Sequence, residues 1–132
     1  MKYIHLIFLA AVLMLVSCSA QRKLRSRLVG TWNVSNYQDS FEGSRTNLDN
    51  AGTIEFQSGN RGNKDIAFRA MQNYRDNSPF SWDNTANTVT VHGDQSEFAK
   101  AWIITTNKKK KQVWKSTNGR GGIQQVTLVK QP

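Results

Sequence analysis

From Leu28 to the C-terminus, apolar residues alternate with polar ones in short runs, and turn-forming residues separate the runs at nearly regular intervals. Alternation with period two places successive side chains on opposite faces of an extended chain, so the pattern calls for strands with one buried face. Eight such runs can be read, at residues 28–35, 53–57, 65–69, 80–82, 88–91, 98–106, 112–116 and 123–130. Short turns rich in Gly, Asn, Ser and Asp join most of them, as at 58–63, 83–87 and 118–122. No long helix is expected after Cys18. Consecutive strands joined this way suit an all-β, antiparallel up-and-down barrel, because closure removes the exposed edges that an open meander would leave.

Two connections depart from the short-turn rule. Residues 38–51 read as a long polar loop and 72–79 as a shorter one carrying Tyr74, Arg75 and Asp76. An even number of strand passages separates them, so both should open on the same rim, and long loops of compact domains are more often lids or binding loops than spacers. That rim is the expected ligand mouth.

The single cysteine, Cys18, excludes an internal disulfide, so the domain must be held by burial and backbone pairing. It follows a basic start at Lys2, an apolar run from Ile4 to Val16 broken only by His5, and the small residue Ser17. The run is shorter than the roughly 20 residues of a membrane-spanning helix. Leu15-Val16-Ser17-Cys18 resembles the lipobox that ends a bacterial lipoprotein signal peptide. The resemblance implies cleavage after residue 17 and lipidation of Cys18 (palmitate among the acyl groups), leaving one small domain anchored in the membrane. Residues 18–27, with Arg22, Lys23, Arg25 and Arg27, then read as a basic tether that rests on anionic headgroups or forms a solvated stalk. Ser19 is not the aspartate linked to inner-membrane retention in such proteins, and no acidic cluster follows Cys18. The expected location is the outer membrane, on its periplasmic face.

A second resemblance covers residues 28–132. Leu28-Val29-Gly30-Thr31-Trp32 looks like the Gly-x-Trp signature of lipocalins. The pieces at 52–56, 80–82, 87–91, 102–104 and 126–130 resemble small lipocalin-like lipoproteins of Bacteroidota. The resemblance implies an eight-stranded calycin barrel in which Gly30 and Trp32 close the base under a basic residue near the last strand. Antiparallel closure puts Lys130 beside Trp32, where a cation–π contact is expected.

The aromatics Trp32, Phe56, Phe68, Trp82 and Trp102 fall on the inward phase and serve either as core filling or as the wall of a small pocket. Tyr37, Phe41 and Tyr74 fall near the rim, where a ligand could reach them. The chain carries a formal net charge of +9, and the run Lys108, Lys109, Lys110 and Lys111 sits between two strands. It reads as a solvated hairpin tip or as a patch for lipid phosphates or an acidic partner. The run lacks the interleaved aromatics of a nucleic-acid interface.

Catalysis has little support. One histidine, His92, follows Cys18, and a Cys/His pair is excluded once Cys18 is acylated. Asp94 and Glu97 near His92 fit a turn better than a metal site, and Gly119-Arg120-Gly121-Gly122 precedes a strand whereas a phosphate loop opens a helix. No enzyme activity, cofactor or metal is expected.

The sequence thus suggests a monomeric, lipid-anchored barrel that captures a small, partly apolar molecule at its mouth. The rival is a solid barrel whose basic face engages an envelope protein or an anionic polymer, as an inhibitor would.

Overall fold

The computed structural model describes the backbone at residues 2–41, 43–68, 74–93, 98–117, 119 and 121–132, and the side chains of these except 2, 14–17, 41, 68 and 74. A helix, α1 (Lys2–Leu28), precedes eight strands: β1 (Gly30–Phe41), β2 (Ser44–Gln57), β3 (Arg61–Phe68), β4 (Tyr74–Asn84), β5 (Thr88–His92), β6 (Ala101–Asn107), β7 (Lys111–Thr117) and β8 (Ile123–Lys130). Each strand pairs antiparallel with the next, and β1 pairs with β8. The sheet closes into an up-and-down barrel, as the alternation predicts.

The barrel has two unlike ends. The β2–β3, β4–β5 and β6–β7 turns lie at one end, the base, together with the C-terminal part of α1. The other strand ends, at Phe41 and Ser44, Phe68 and Tyr74, His92 and Ala101, and Thr117 and Ile123, lie at the opposite end, the mouth. The connections expected at 38–51 and 72–79 therefore do share a rim. Neither is a long loop, however: β1 and β2 pair from Asn36 opposite Asp49 out to Phe41 opposite Ser44, and β4 already begins at Tyr74. Polar side chains on both strands hid this hairpin, because strands that project past a core need no apolar face.

Three register shifts shape the wall: β2 carries one more residue than β1 between Asp49 and Gly52, and β1 and β6 each carry a bulge against their other neighbours. Between Val34 and Asn36, β1 carries one more residue than β8, and between Ile104 and Thr106, β6 carries one more than β7. At each, the extra residue's hydroxyl bonds a facing carbonyl, Ser35 to Thr127 at 3.2 Å and Thr105 to Val113 at 3.1 Å. An extra residue reverses the inward phase beyond it. Trp32 and Val34 point inward before the first bulge, and Tyr37 after it.

The N-terminal segment departs most from the sequence reading. Helix α1 runs through 18–27 to Leu28, so β1 begins two residues later than expected and the segment is not a free stalk. The helix turns Leu24 and Leu28 into the base, where both are fully buried. Gln21 exchanges two hydrogen bonds with Asn84, its Nε2 donating to the Asn84 carbonyl at 2.7 Å and its carbonyl accepting from Asn84 Nδ2 at 3.0 Å. Arg25 lies over the Trp82 ring at 5.5 Å, and Arg27 donates to the Asn107 carbonyl at 3.1 Å. Residues 3–13 of the same helix are exposed, and an 18-residue window within Tyr3–Leu28, of mean hydropathy 2.2, is long and apolar enough to cross a membrane.

The signature residues seal this end. Trp32 is fully buried and donates its indole N–H to the Leu28 carbonyl at 2.8 Å, tying β1 to the last turn of α1. Lys130 lies over the ring, Nζ 5.4 Å from its centroid, and donates to the Arg27 carbonyl at 2.9 Å. A side chain at Gly30, which has φ +135°, would come within 2.9 Å of Lys130 Cε. The contact expected between Lys130 and Trp32 is therefore present.

Leu24→Ala and Leu28→Ala should each lower the unfolding free energy by about 2–5 kcal/mol, the usual range for emptying a buried leucine site. Urea melts of a chain beginning at residue 18 would check this; a free stalk would leave the midpoint unchanged. Lys130→Ala should lower the midpoint and shift tryptophan emission, since it removes a cation–π contact of about 0.5–1 kcal/mol and uncovers the Trp32 ring.

Candidate functional site

The interior divides into a ring-packed floor and a polar layer nearer the mouth. In the floor, Phe56 of β2 meets Phe80 and Trp82 of β4 edge-on at centroid distances of 5.4 and 5.1 Å. It also meets Trp114 of β7 at 5.8 Å. Strands β2 and β7 are not neighbours, so this contact crosses the barrel. Trp114 continues to Trp102 at 6.4 Å, and Trp102 to Phe98 at 5.0 Å. At this level the lumen is filled.

This arrangement locates the sequence candidates. Phe56, Trp82 and Trp102 belong to the floor, each no more than 1% exposed. Tyr37 does not stand on the rim: the Ser35 bulge turns it inward, and it is 2% exposed. The side chains of Phe41, Phe68 and Tyr74, and the residues Asp94, Glu97 and Arg120, lie outside what the structure describes. Phe80 and Trp114 complete the floor, and Phe98, between β5 and β6, packs on Trp102; none of the three is among the inward aromatics expected from the sequence. Phe98 precedes β6 rather than opening it, its carbonyl accepting the Trp102 indole N–H at 3.0 Å.

On the mouth side of the floor, along β3 and β4, polar residues share the inward positions with apolar ones such as Ile66. Along β4, burial alternates without a break through Asp76, Ser78, Phe80 and Trp82. On β3, Lys64 lies two residues before the buried Ile66 and faces Ser78 across the ladder. Lys64 Nζ donates to both Asp76 carboxylate oxygens, at 3.0 and 2.9 Å, and lies 2.8 Å from Ser78 Oγ. Ser78 in turn donates to Asp76 at 2.6 Å. The pair is shut away from water, with the Lys64 side chain 0% and that of Asp76 4% exposed.

On β8, the buried Gln124 donates to Tyr37 Oη at 2.9 Å, and its carbonyl oxygen accepts from Lys100. Lys100 also lies 5.6 Å from the centroid of Trp102. Sequence reading missed this polar layer because it looked for rings. The signal was present, however: counting back in twos from Ile66 reaches Lys64, and from Phe80 reaches Ser78 and Asp76.

Other candidates lie on the outer surface. The 108–111 run forms the tight β6–β7 turn at the base, with Lys108 N–H donating to the Lys111 carbonyl at 2.9 Å and all four side chains exposed. His92 is exposed and sits 3.1 Å from Asp83 on the outer face. Among the described residues, no group of three or more His, Cys, Asp or Glu could hold a metal ion. A depression of about 490 Å³ on the wall passes Asp49, Thr53, Asp65 and Arg75. There the Arg75 guanidinium forms a two-point bond to Asp65, both contacts 2.6 Å, which holds the carboxyl below the ordinary aspartate range and raises the arginine.

Comparison with known proteins places this architecture. No protein-family model matches the chain, and no curated protein matches it. Among solved structures it is similar to a lipocalin-like protein from Bacteroides uniformis ATCC 8492, with a TM-score of 0.54 and 11% identity. The superposition covers 80% of this chain and 99% of the other. At that identity the likeness shows the fold: this is a lipocalin-like barrel.

The polar layer can be tested by a double-mutant cycle. Lys64→Met alone should cost about 3–5 kcal/mol, because it removes the Lys64 ammonium from beside a buried carboxylate, whereas Lys64→Met with Asp76→Leu should recover most of that loss. Equal, additive losses in denaturant melts would mean that the two side chains do not interact in solution.

Proposed function

We propose that this chain is a lipid-anchored, non-enzymatic protein of the bacterial envelope that captures a small, partly apolar molecule at the barrel mouth. The observation that carries the reading is the buried Lys64, Asp76 and Ser78 cluster on the mouth side of the ring floor. A lysine and an aspartate inside a small barrel are a poor way to gain stability, since apolar residues of similar volume fill such space at least as well. Both charged side chains are shut away from water in this structure, so on this reading the mouth opens to admit a ligand, whose polar head replaces or extends the hydrogen bonds that Asp76 and Ser78 now make while its apolar body meets the rings beneath. The lipocalin-like fold supports the reading, as such barrels carry ligands in their mouths.

Anchoring is part of the proposal. Cys18 is exposed on α1, and the lipobox-like residues before it give acylation its rationale. The outer membrane, periplasmic side, is the proposed location, with the protein acting as a monomer.

The test is native mass spectrometry of residues 18–132 carrying Cys18→Ser, purified gently from an envelope extract. A stoichiometric small mass that disappears on denaturation is the expected result. The same mass should be lost or depleted in the folded Lys64→Met, Asp76→Leu variant. A spectrum that stays free of any bound mass after exposure to an envelope lipid extract would overturn ligand capture and leave the barrel as a solid interaction module.

A further inference from the structure

The fold gathers at the base two basic segments that are far apart in sequence. Helix α1 supplies Arg22, Lys23, Arg25 and Arg27, and the β6–β7 turn supplies Lys108 to Lys111. They are stitched together, since Arg27 Nη1 bonds both the carbonyl and the side chain of Asn107, at 3.1 and 3.3 Å, one residue before the lysine run. The Lys130 N–H, which donates to the Lys110 carbonyl at 2.9 Å, ties the last strand to the same turn. Among the described residues, the acidic side chains toward this end are Glu55 and Asp83, and both project from the outer wall, Asp83 toward His92.

The anchor point lies at the same end. Cys18 precedes Gln21, the first residue of α1 whose side chain bonds the barrel, by three residues of continuous helix. At 1.5 Å per residue, that is about 4–5 Å along the helix axis. An acyl chain on Cys18 would therefore hold the base within about one helical turn of the bilayer surface, and α1 is docked by Leu24 and Leu28 so that it cannot act as a long flexible leash.

We propose that the base of the barrel is a membrane-docking face, in which the 108–111 turn and the basic residues of α1 lie together on anionic lipid headgroups and point the mouth away from the bilayer. The proposal rests on the membrane-anchored reading of Cys18 but adds a surface that acts without the acyl chain. Each lysine or arginine close to an anionic leaflet contributes about fivefold in partitioning, and the contribution falls away within a Debye length, so only residues brought to the surface count. The turn is suited to this: its N–H to C=O closure between Lys108 and Lys111 pushes Lys109 and Lys110 out at the tip.

The test uses the unacylated chain, residues 18–132 with Cys18→Ser; its described barrel contacts all begin at Gln21, while residues 3–13 are exposed. It is sedimented with phosphatidylcholine vesicles and with mixed phosphatidylglycerol and phosphatidylcholine vesicles. Binding is expected to the mixed vesicles only, weakening steeply with added salt. The quadruple variant K108Q/K109Q/K110Q/K111Q should lose at least about tenfold in partitioning. R45Q/K115Q, which removes exposed charge from the wall nearer the mouth, should lose far less.

No binding to the mixed vesicles would overturn the proposal. So would equal losses per charge in the two variants, which would make the attraction a matter of net charge alone. Retention of the wild-type chain by an acidic protein or polymer, with none by the vesicles, would hand the face to a different partner. Failure of the anchor itself is read separately, as absence of palmitate label on the full chain expressed in bacteria, with Cys18→Ser as the blank.

Discussion

A closed barrel exists only if the space it encloses is filled, and here rings do the filling. Phe56 touches Phe80, Trp82 and Trp114, drawing strands from opposite sides of the wall onto one cluster. Without an internal disulfide, this cluster is what resists opening of the sheet. Burying indoles also buries their N–H groups, which costs stability unless each is bonded. All four tryptophans meet that condition: Trp32 donates to Leu28, Trp102 to Phe98 and Trp114 to Gln112, each within four residues, and Trp82 to Arg61 at the start of β3. Among the described residues, no buried side-chain nitrogen or oxygen lacks a partner. The backbone path at the base is thus shaped as much by what the indoles need as by the strands.

That dependence explains what could be read in advance. Strand number, order and closure follow from alternation, which survives wherever a strand has a buried face. The eight runs correspond to the eight strands, and Lys130 meets Trp32 as antiparallel closure requires. Alternation is silent where a strand has no core to face, so the polar hairpin of 38–51 reads as a loop. A bulge defeats it in another way. Nothing in Ser35 announces an extra residue, yet that residue decides whether Tyr37 faces the rim or bonds Gln124 inside.

The basic stretch of 18–27 was the harder case. Its charges suggest a solvated stalk, and only Leu24 and Leu28, one helical turn apart, hint at an apolar edge. Tertiary packing supplies the rest: Leu24 and Leu28 join the core of the barrel, and the helix leaves its charges outside. Long side chains such as Arg25 serve both ends of this arrangement, the stem against the Trp82 ring and the charge in solvent. The polar layer shows the converse error. Lys64 and Asp76 lie on the inward phase, but a charged residue in a strand is read as outward by default. The default fails when two opposite charges sit on adjacent strands at positions that can pair.

The ring floor lies between the two ends and makes them independent. Close-packed interiors have few alternative arrangements, so the ligand proposed at Lys64 and Asp76 would have no bistable element through which to reach the base. The headgroup contact proposed at Lys109 and Lys110 would likewise have none through which to reach the mouth. The energetic effects of substitutions at the two ends should therefore add, as they do for separated sites with no shared partners. On the proposed reading of a membrane-held carrier this division is useful: the base would stay on charged lipid while the mouth filled and emptied, because neither event would alter the packing on which the other depends.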